Sequence, residues 1–148
     1  MHVAIVEDDD MISDILKTML MQHGFQVSIV ANAFAARKLA QAGQVDLFLS
    51  DLQLPDGSGV DLCREFMSAN PECKAILMSG SAAPLDLADL LMKNNVAVPI
   101  LQKPFLLSRL MNLLLDLCGN PENSEEDRQL GYCSGLEKDA ESRFSLEP

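Results

Sequence analysis

Positive charge is scarce in this chain, and the scarcity removes a first functional class. Eleven Lys and Arg stand against 22 Asp and Glu in 148 residues, a formal net charge of -11. A nucleic-acid surface needs Lys and Arg clustered on one face to neutralise phosphates, so the composition argues against one. An anionic membrane surface is disfavoured by the same repulsion. No apolar run reaches the roughly 20 residues that a membrane span needs. The longest candidate, 105–118, is interrupted by Arg109 and Asp116. No basic segment and apolar core precede the opening HVAIVEDDD, so no secretory signal is expected. Cys63, Cys73, Cys118 and Cys133 form no CxxC pair, and His2 and His23 have no metal-ligand spacing to them. Free thiols in a reducing cytosol are the expectation. A glycine-rich phosphate loop after the first apolar run is also missing, and VEDDD in that place would repel a nucleotide.

What the chain does have is a repeated alternation. Apolar runs at 2–6, 25–30, 45–50, 74–79 and 96–102 are rich in Val, Ile, Leu and Phe. They are nearly continuous, the pattern of parallel strands buried on both faces. Helical segments follow each. Met11, Ile12, Ile15, Leu16, Met19 and Leu20 form a stripe stopped by Gly24. Asn32 is placed to cap a helix over 33–42, ended by Gly43. Val60, Cys63 and Met67 mark a third helix that stops near Asn70-Pro71, and Pro84 opens a fourth reaching Lys93. A fifth follows Pro104 and runs to about Cys118. Five such repeats predict a doubly wound α/β fold with a five-stranded parallel sheet, whose functional loops lie at the carboxyl ends of the strands.

Residues 1–118 carry 14 acids and 8 bases, a net of -6, and 119–148 carry 8 acids and 3 bases, a net of -5. The last 30 residues are polar and turn-rich and are expected to be a disordered acidic tail or a linker stub. Residues 1–118 are expected to form one domain.

Chemistry-bearing residues fall at four strand ends. Glu7, Asp8, Asp9 and Asp10 follow the first run, Asp51 the third, Ser79 ends the fourth, and Lys103-Pro104 follow the fifth. Carboxylates gathered on one rim repel, and burial adds a desolvation cost. A hard divalent cation relieves both: Mg2+ takes oxygen ligands from one or two carboxylates plus a phosphate. Asp51 is suited to act as a nucleophile towards phosphorus, giving an acyl phosphate. A metal and Lys103 would neutralise charge, Ser79 would hydrogen-bond the phosphoryl group, and Gly80 would leave room for a donor. Each feature has a plain alternative. The acidic run could be a solvated helix start, Asp51 a turn or cap residue, Ser79 structural and Lys103 a surface lysine.

The pieces VEDDD, SDLQLPDGSG, LMSGSA and LQKPF, in this order and spacing, resemble the receiver domain of two-component response regulators over about residues 1–118. The resemblance implies a flavodoxin-like (βα)5 receiver fold with Asp51 as phosphoacceptor and Mg2+ as cofactor. It implies Glu7 and Asp8 as the acidic pair, Asp9 being an alternative one place on, and a backbone carbonyl of Gln53 as a metal ligand. Lys103 would be the conserved-type lysine, with a cis peptide to Pro104. Ser79 and residue 100 would be the switch pair, and Pro55, Gly57 and Gly59 match the loop after the phosphoacceptor. Gln53 and Ser81 sit where similar proteins tune hydrolysis of the phosphoryl group. The implied partners are a histidine kinase or a histidine phosphotransfer protein and a downstream protein or the chain's own output domain. The implied location is cytoplasmic, and the implied activity is self-phosphorylation with slow self-dephosphorylation rather than enzymatic turnover.

Two positions depart from the family pattern. Ile100 stands where Tyr or Phe is usual, removing an aromatic rotamer from the switch, and Leu54 stands where Met is common. The leucine-rich fifth helix (Leu106, Leu107, Leu110, Met111, Leu113, Leu114, Leu115 and Leu117) covers more than one face, as do Leu85, Leu87, Leu90, Leu91 and Met92 of the fourth. A homodimer or partner face across helix four, strand five and helix five is the expectation. The competing functions are a dehalogenase-type phosphohydrolase, which wants an acid where Gln53 stands, and a receiver-like interaction module that takes no phosphate.

Overall fold

A computed structural model describes residues 1–43, 45–80 and 84–118, without the side chains of 84–86. The chain divides into two units, Met1–Pro104 and Phe105–Pro148. In the first, the order is β1 (His2–Val6), α1 (Asp10–Gln22), β2 (Gln26–Val30), α2 (Ala33–Gln41), β3 (Leu47–Asp51), β4 (Gln53–Leu54), β5 (Gly57–Ser58), α3 (Gly59–Ala69), β6 (Lys74–Ser79), α4 (Pro84–Lys93) and β7 (Ile100–Gln102). In the second, the described element is α5 (Leu107–Cys118). The tail, Cys133 and Ser81 lie outside the described residues.

Five strands form one parallel sheet in the order β2-β1-β3-β6-β7. This is the flavodoxin-like winding expected from the sequence. The order reverses at β1 and β3, and in such sheets ligands bind beyond the carboxyl ends of the strands that flank the reversal. Glu7 directly follows β1, and Asp51 is the last residue of β3.

Strand side chains alternate between faces, and here both faces are dry. Val3, Ile5, Leu47, Leu49, Ile76 and Met78 are buried on one. Ala4, Val6, Phe48, Ala75 and Leu77 are buried on the other, within one cluster with Ala33 and Ala36 of α2, Val60, Leu62, Cys63 and Phe66 of α3, and Leu91 of α4. Phe48 and Phe66 stack with ring centroids 4.0 Å apart. The continuous apolar runs are thus explained by burial on two sides rather than one.

The helix ends follow local chemistry. Asp9 caps α1 and Asn32 caps α2 through side-chain oxygens that accept backbone N–H groups. At the end of α1, Gly24 has φ 88, with Phe25 N–H donating to Leu20 and Gly24 N–H to Met21. That left-handed closure needs glycine or asparagine. The same closure ends α4, where Asn95 has φ 58 and Val96 N–H donates to Leu91. It also shortens the last strand. The sequence suggested a strand over 96–102, but Val96 is still tied to α4. Pro99 has no N–H to give a ladder, so regular pairing starts at Ile100.

A two-stranded hairpin, β4 with β5, occupies SDLQLPDGSG, which reads in sequence as a turn. It is pinned to α2: the Asp56 carboxylate accepts from Ala33 N–H at 2.7 Å and Phe34 N–H at 3.0 Å. These bonds to the first amides of a helix hold the Asp56 carboxyl below its ordinary value of 3.8. The hairpin returns into α3 at Gly59, which passes so close to the backbone of Asp51 that a Cβ would overlap the Asp51 carbonyl oxygen.

Two outcomes follow for stability. Gly59→Ala forces a methyl against backbone that cannot yield, and should destabilise by about 3 kcal/mol, read as a lower urea midpoint. For Asp56, a depressed folded value means the contribution is present above 3.8 and fades as pH falls through the lowered value. Wild type should therefore exceed Asp56→Asn in midpoint at neutral pH, and the two should converge in acid.

Candidate functional site

The carboxyl ends of β3, β6 and β7 deliver charged and hydroxyl groups to one cleft, and the acids after β1 meet Asp51 and Lys103 beside it. Asp51, Leu52, Gln53, Ser79, Gly80 and Lys103 line a space of about 450 Å³. Lys103 reaches it because its backbone N–H is tied to the Ser79 carbonyl at 2.7 Å, directly after β7. The Lys103-Pro104 peptide is cis. The Lys103 ammonium donates to Glu7 Oε2 at 2.8 Å and lies 3.3 Å from Asp51 Oδ2.

Glu7, Asp8 and Asp51 each offer a carboxylate oxygen, and these atoms all lie within 4.8 Å of one another. Their settings differ: Glu7 is buried, Asp51 half-buried and Asp8 exposed. Asp9, the alternative one place on, faces elsewhere. Its Oδ1 accepts from Met11 N–H at 2.9 Å and Ile12 N–H at 3.3 Å, so it serves the start of α1. Its own N–H donates to Glu7 Oε1 at 3.2 Å, which helps fix the Glu7 carboxylate.

Magnitudes show that the cluster is under electrostatic tension. Two unit charges 4 Å apart interact by about 4 kcal/mol at the effective dielectric of a protein surface. One ammonium among three carboxylates leaves repulsion unbalanced. Burial, chiefly, pushes the Glu7 carboxyl above its ordinary 4.5; the Lys103 hydrogen bond opposes this and the charge of Asp51 adds to it. Burial works to lower the Lys103 ammonium, but its bond to Glu7 and the fields of Glu7 and Asp51 outweigh it, so the net displacement is upward. Lys103 is thus held as a cation. The donor set is all oxygen, carries excess negative charge and opens onto a cleft. That suits a hard divalent cation and would suit no soft metal.

The remaining candidates are placed as follows. Ser79 is buried at the end of β6 and lines the cleft. Gln53 is exposed at the start of the hairpin. Pro55 is exposed at the hairpin turn. A Cβ on Gly57 would meet Ala33 at 3.5 Å, and one on Gly80 would meet nothing within 4 Å. Ile100 is half-buried and packs with the cluster that holds Leu77, Leu91 and Val96. On α4, Leu87 and Leu91 are buried while Leu90 and Met92 are exposed. On α5, Leu110, Met111 and Leu114 are buried, so much of its leucine stripe is internal; Leu106, just before it, and Leu107 are exposed. Asp56 and Ser50 were not anticipated. Asp56 reads as a turn residue, and Ser50 reads as an ordinary strand residue.

Glu7 gives a test of the tension. Its raised value means that ionising it costs folding free energy: nothing below 4.5, then a growing cost as pH climbs to the raised value. In chelator-treated protein, Glu7→Gln should therefore raise the urea midpoint at neutral pH, with no gain below 4.5. An unchanged or lower midpoint at neutral pH would contradict the strained cluster.

Comparison with known proteins agrees with this geometry. Residues 3–115 match the family model described as response regulator receiver domain. The TorCAD operon transcriptional regulatory protein TorR of Escherichia coli K12 is 31% identical over 153 residues, covering 99% of this chain and 64% of TorR. Transcriptional regulatory protein MalR of Bacillus subtilis is 33% identical over 117 residues, covering 78% of this chain and 49% of MalR. The chain therefore spans less than two thirds of these relatives. Among solved structures, a CheY-like response regulator receiver domain protein of Methanospirillum hungatei superposes with a TM-score of 0.70 at 26% identity, covering 78% and 90% of the two chains.

Proposed function

This chain belongs to the response regulator receiver domain family, and from that premise we propose that it is a Mg2+-dependent phosphoacceptor modified on Asp51. The observation that carries the reading is the bridge made by Lys103 between Glu7 and Asp51, beside three converging carboxylates. An ammonium fixed against the acceptor carboxylate is ready to neutralise a phosphoryl oxygen that arrives there.

Glu7, Asp8, Asp51 and the backbone carbonyl of Gln53 are the residues that would hold the ion. Bound Mg2+ would supply charge neutralisation to the transferring phosphoryl group. The chain's own residues do the rest. An Asp51 carboxylate oxygen attacks phosphorus, a P–O bond forms, and the bond from phosphorus to the donor nitrogen or oxygen breaks, with the electron pair and then a proton going to the leaving group. Ser79 donates its hydroxyl to a phosphoryl oxygen, and Lys103 follows the new charge. The donor is a phosphohistidine on a kinase or phosphotransfer protein, in the cytoplasm. Modification adds about -1.5 to -2 charge at neutral pH. It biases α4, β7 and α5 towards a second arrangement read by a downstream protein or an output domain. Exposed Leu90 and Met92 on α4, and Leu106 and Leu107 at the start of α5, support apolar contact with a partner or a second copy.

Incubation with acetyl phosphate and Mg2+ should add one phosphoryl group to the intact mass. The gain should disappear in Asp51→Asn or in chelator, and Lys103→Ala should lower it at least tenfold, roughly the loss of one well-placed charge contact. A wild-type chain that stays unmodified while binding its partners would instead identify an interaction module that takes no phosphate.

A further inference from the structure

The peptide group that joins Asp51 to Leu52 is held on three sides. Its N–H donates to the Met78 carbonyl of β6 at 2.8 Å. Its carbonyl oxygen accepts from the Ser50 hydroxyl at 2.9 Å. That same oxygen is backed by Gly59, whose missing Cβ leaves it just enough room. One peptide further on, the Leu52 carbonyl accepts from Gly59 N–H at 2.8 Å. Gln53 follows immediately.

Ser50 is 1% exposed, so its hydroxyl has given up water. A buried hydroxyl is unfavourable unless it makes a hydrogen bond, and this one is used on the acceptor residue's own carbonyl. Consecutive strand residues point to opposite sides of a sheet. Ser50 therefore faces away from Asp51 and is not among the residues that line the cleft. It cannot touch a donor. What it can do is fix the tilt of the peptide plane that begins at the Asp51 Cα. That tilt sets the direction of the Asp51 side chain and the path of the chain into Gln53.

We infer that Ser50 is a positioning residue for phosphoryl transfer, its hydroxyl locking the Asp51–Leu52 peptide so that the Asp51 carboxylate faces an incoming phosphorus in line. The inference rests on Asp51 being the phosphoacceptor. In-line attack is steep in geometry, and a misplacement of about 1 Å can cost about 100-fold. Loss of one of three restraints should produce part of that.

The test measures phosphorylation by acetyl phosphate with Mg2+ against donor concentration, in the full chain. Ser50→Ala should lower the rate at saturating donor about tenfold and leave the half-saturating donor concentration unchanged, because Ser50 makes no donor contact. Ser50→Cys, close in shape but a much weaker donor, should follow Ala. Ser50→Thr, which keeps the hydroxyl, should recover most of the rate. Hydrogen exchange at the Leu52 amide should quicken in Ala and Cys. A purely structural role would lower the urea midpoint while leaving the saturated rate at the wild-type value, and that result would overturn the inference, as would a Cys variant as fast as wild type. A wild-type chain that takes no phosphoryl group would remove the phosphoacceptor reading itself, and the inference with it. A modified wild type with an unaffected Ser50→Ala removes the inference alone.

Discussion

Everything at this site depends on crowding: three carboxylates whose oxygens lie within 4.8 Å of one another, with, among the described residues, a single ammonium between them. Lys103 compensates one charge and leaves the rest in tension. That tension is evident in the Glu7 carboxyl, which burial and Asp51 displace upward despite its 2.8 Å contact with Lys103. A cluster like this is a poor way to stabilise a protein, because breaking up like charges would strengthen the fold. Its persistence at the rim of a cleft makes sense as stored affinity for positive charge, and function is where such costs are tolerated.

The scaffold spends backbone hydrogen bonds to keep the crowd in place. Lys103 is moored to Ser79 through the main chain, so the last strand and the fourth run share one fixed point. Asp51 is braced by Ser50, Met78 and Gly59, and the hairpin beyond it is fastened to α2 by Asp56. Rigid placement of this kind is what would let charge neutralisation act without reorganisation at Asp51, the proposed phosphoacceptor. Ile100 adds a different note. Its aliphatic side chain packs against the core cluster that includes Leu77, Leu91 and Val96, with no ring to flip and no hydroxyl to satisfy.

Much of this was legible from residue order. Alternating buried runs and capped helices gave the doubly wound sheet because burial on both faces writes a continuous apolar signature. Gly24, Asn32 and Gly43 marked helix boundaries because their backbone or side-chain chemistry is local. Less legible were features that depend on partners far away in sequence. The last strand was read too long, since nothing in 96–99 announces that Val96 would stay bonded to α4. The hairpin at 53–58 looked like a turn, since Asp56 finds its partners 23 and 22 residues away on α2. The α5 stripe reads as covering more than one face, and burial divides it: Leu110, Met111 and Leu114 are buried, while Leu107 and the preceding Leu106 are exposed.

By itself, the sequence determined the fold class, the family resemblance and the four strand ends at which charged and hydroxyl groups had to appear. Periodicity, caps and motif spacing are short-range properties, and short-range physics is written in the order of residues. Only the tertiary structure decided which acids meet. Asp9 turns to the amides of α1 while Glu7 and Asp8 turn to Asp51, a choice made by a helix dipole on one side and a lysine 96 residues away on the other. Adjacent carboxylates are equivalent on paper. They become different when folding gives each a separate electrostatic neighbour.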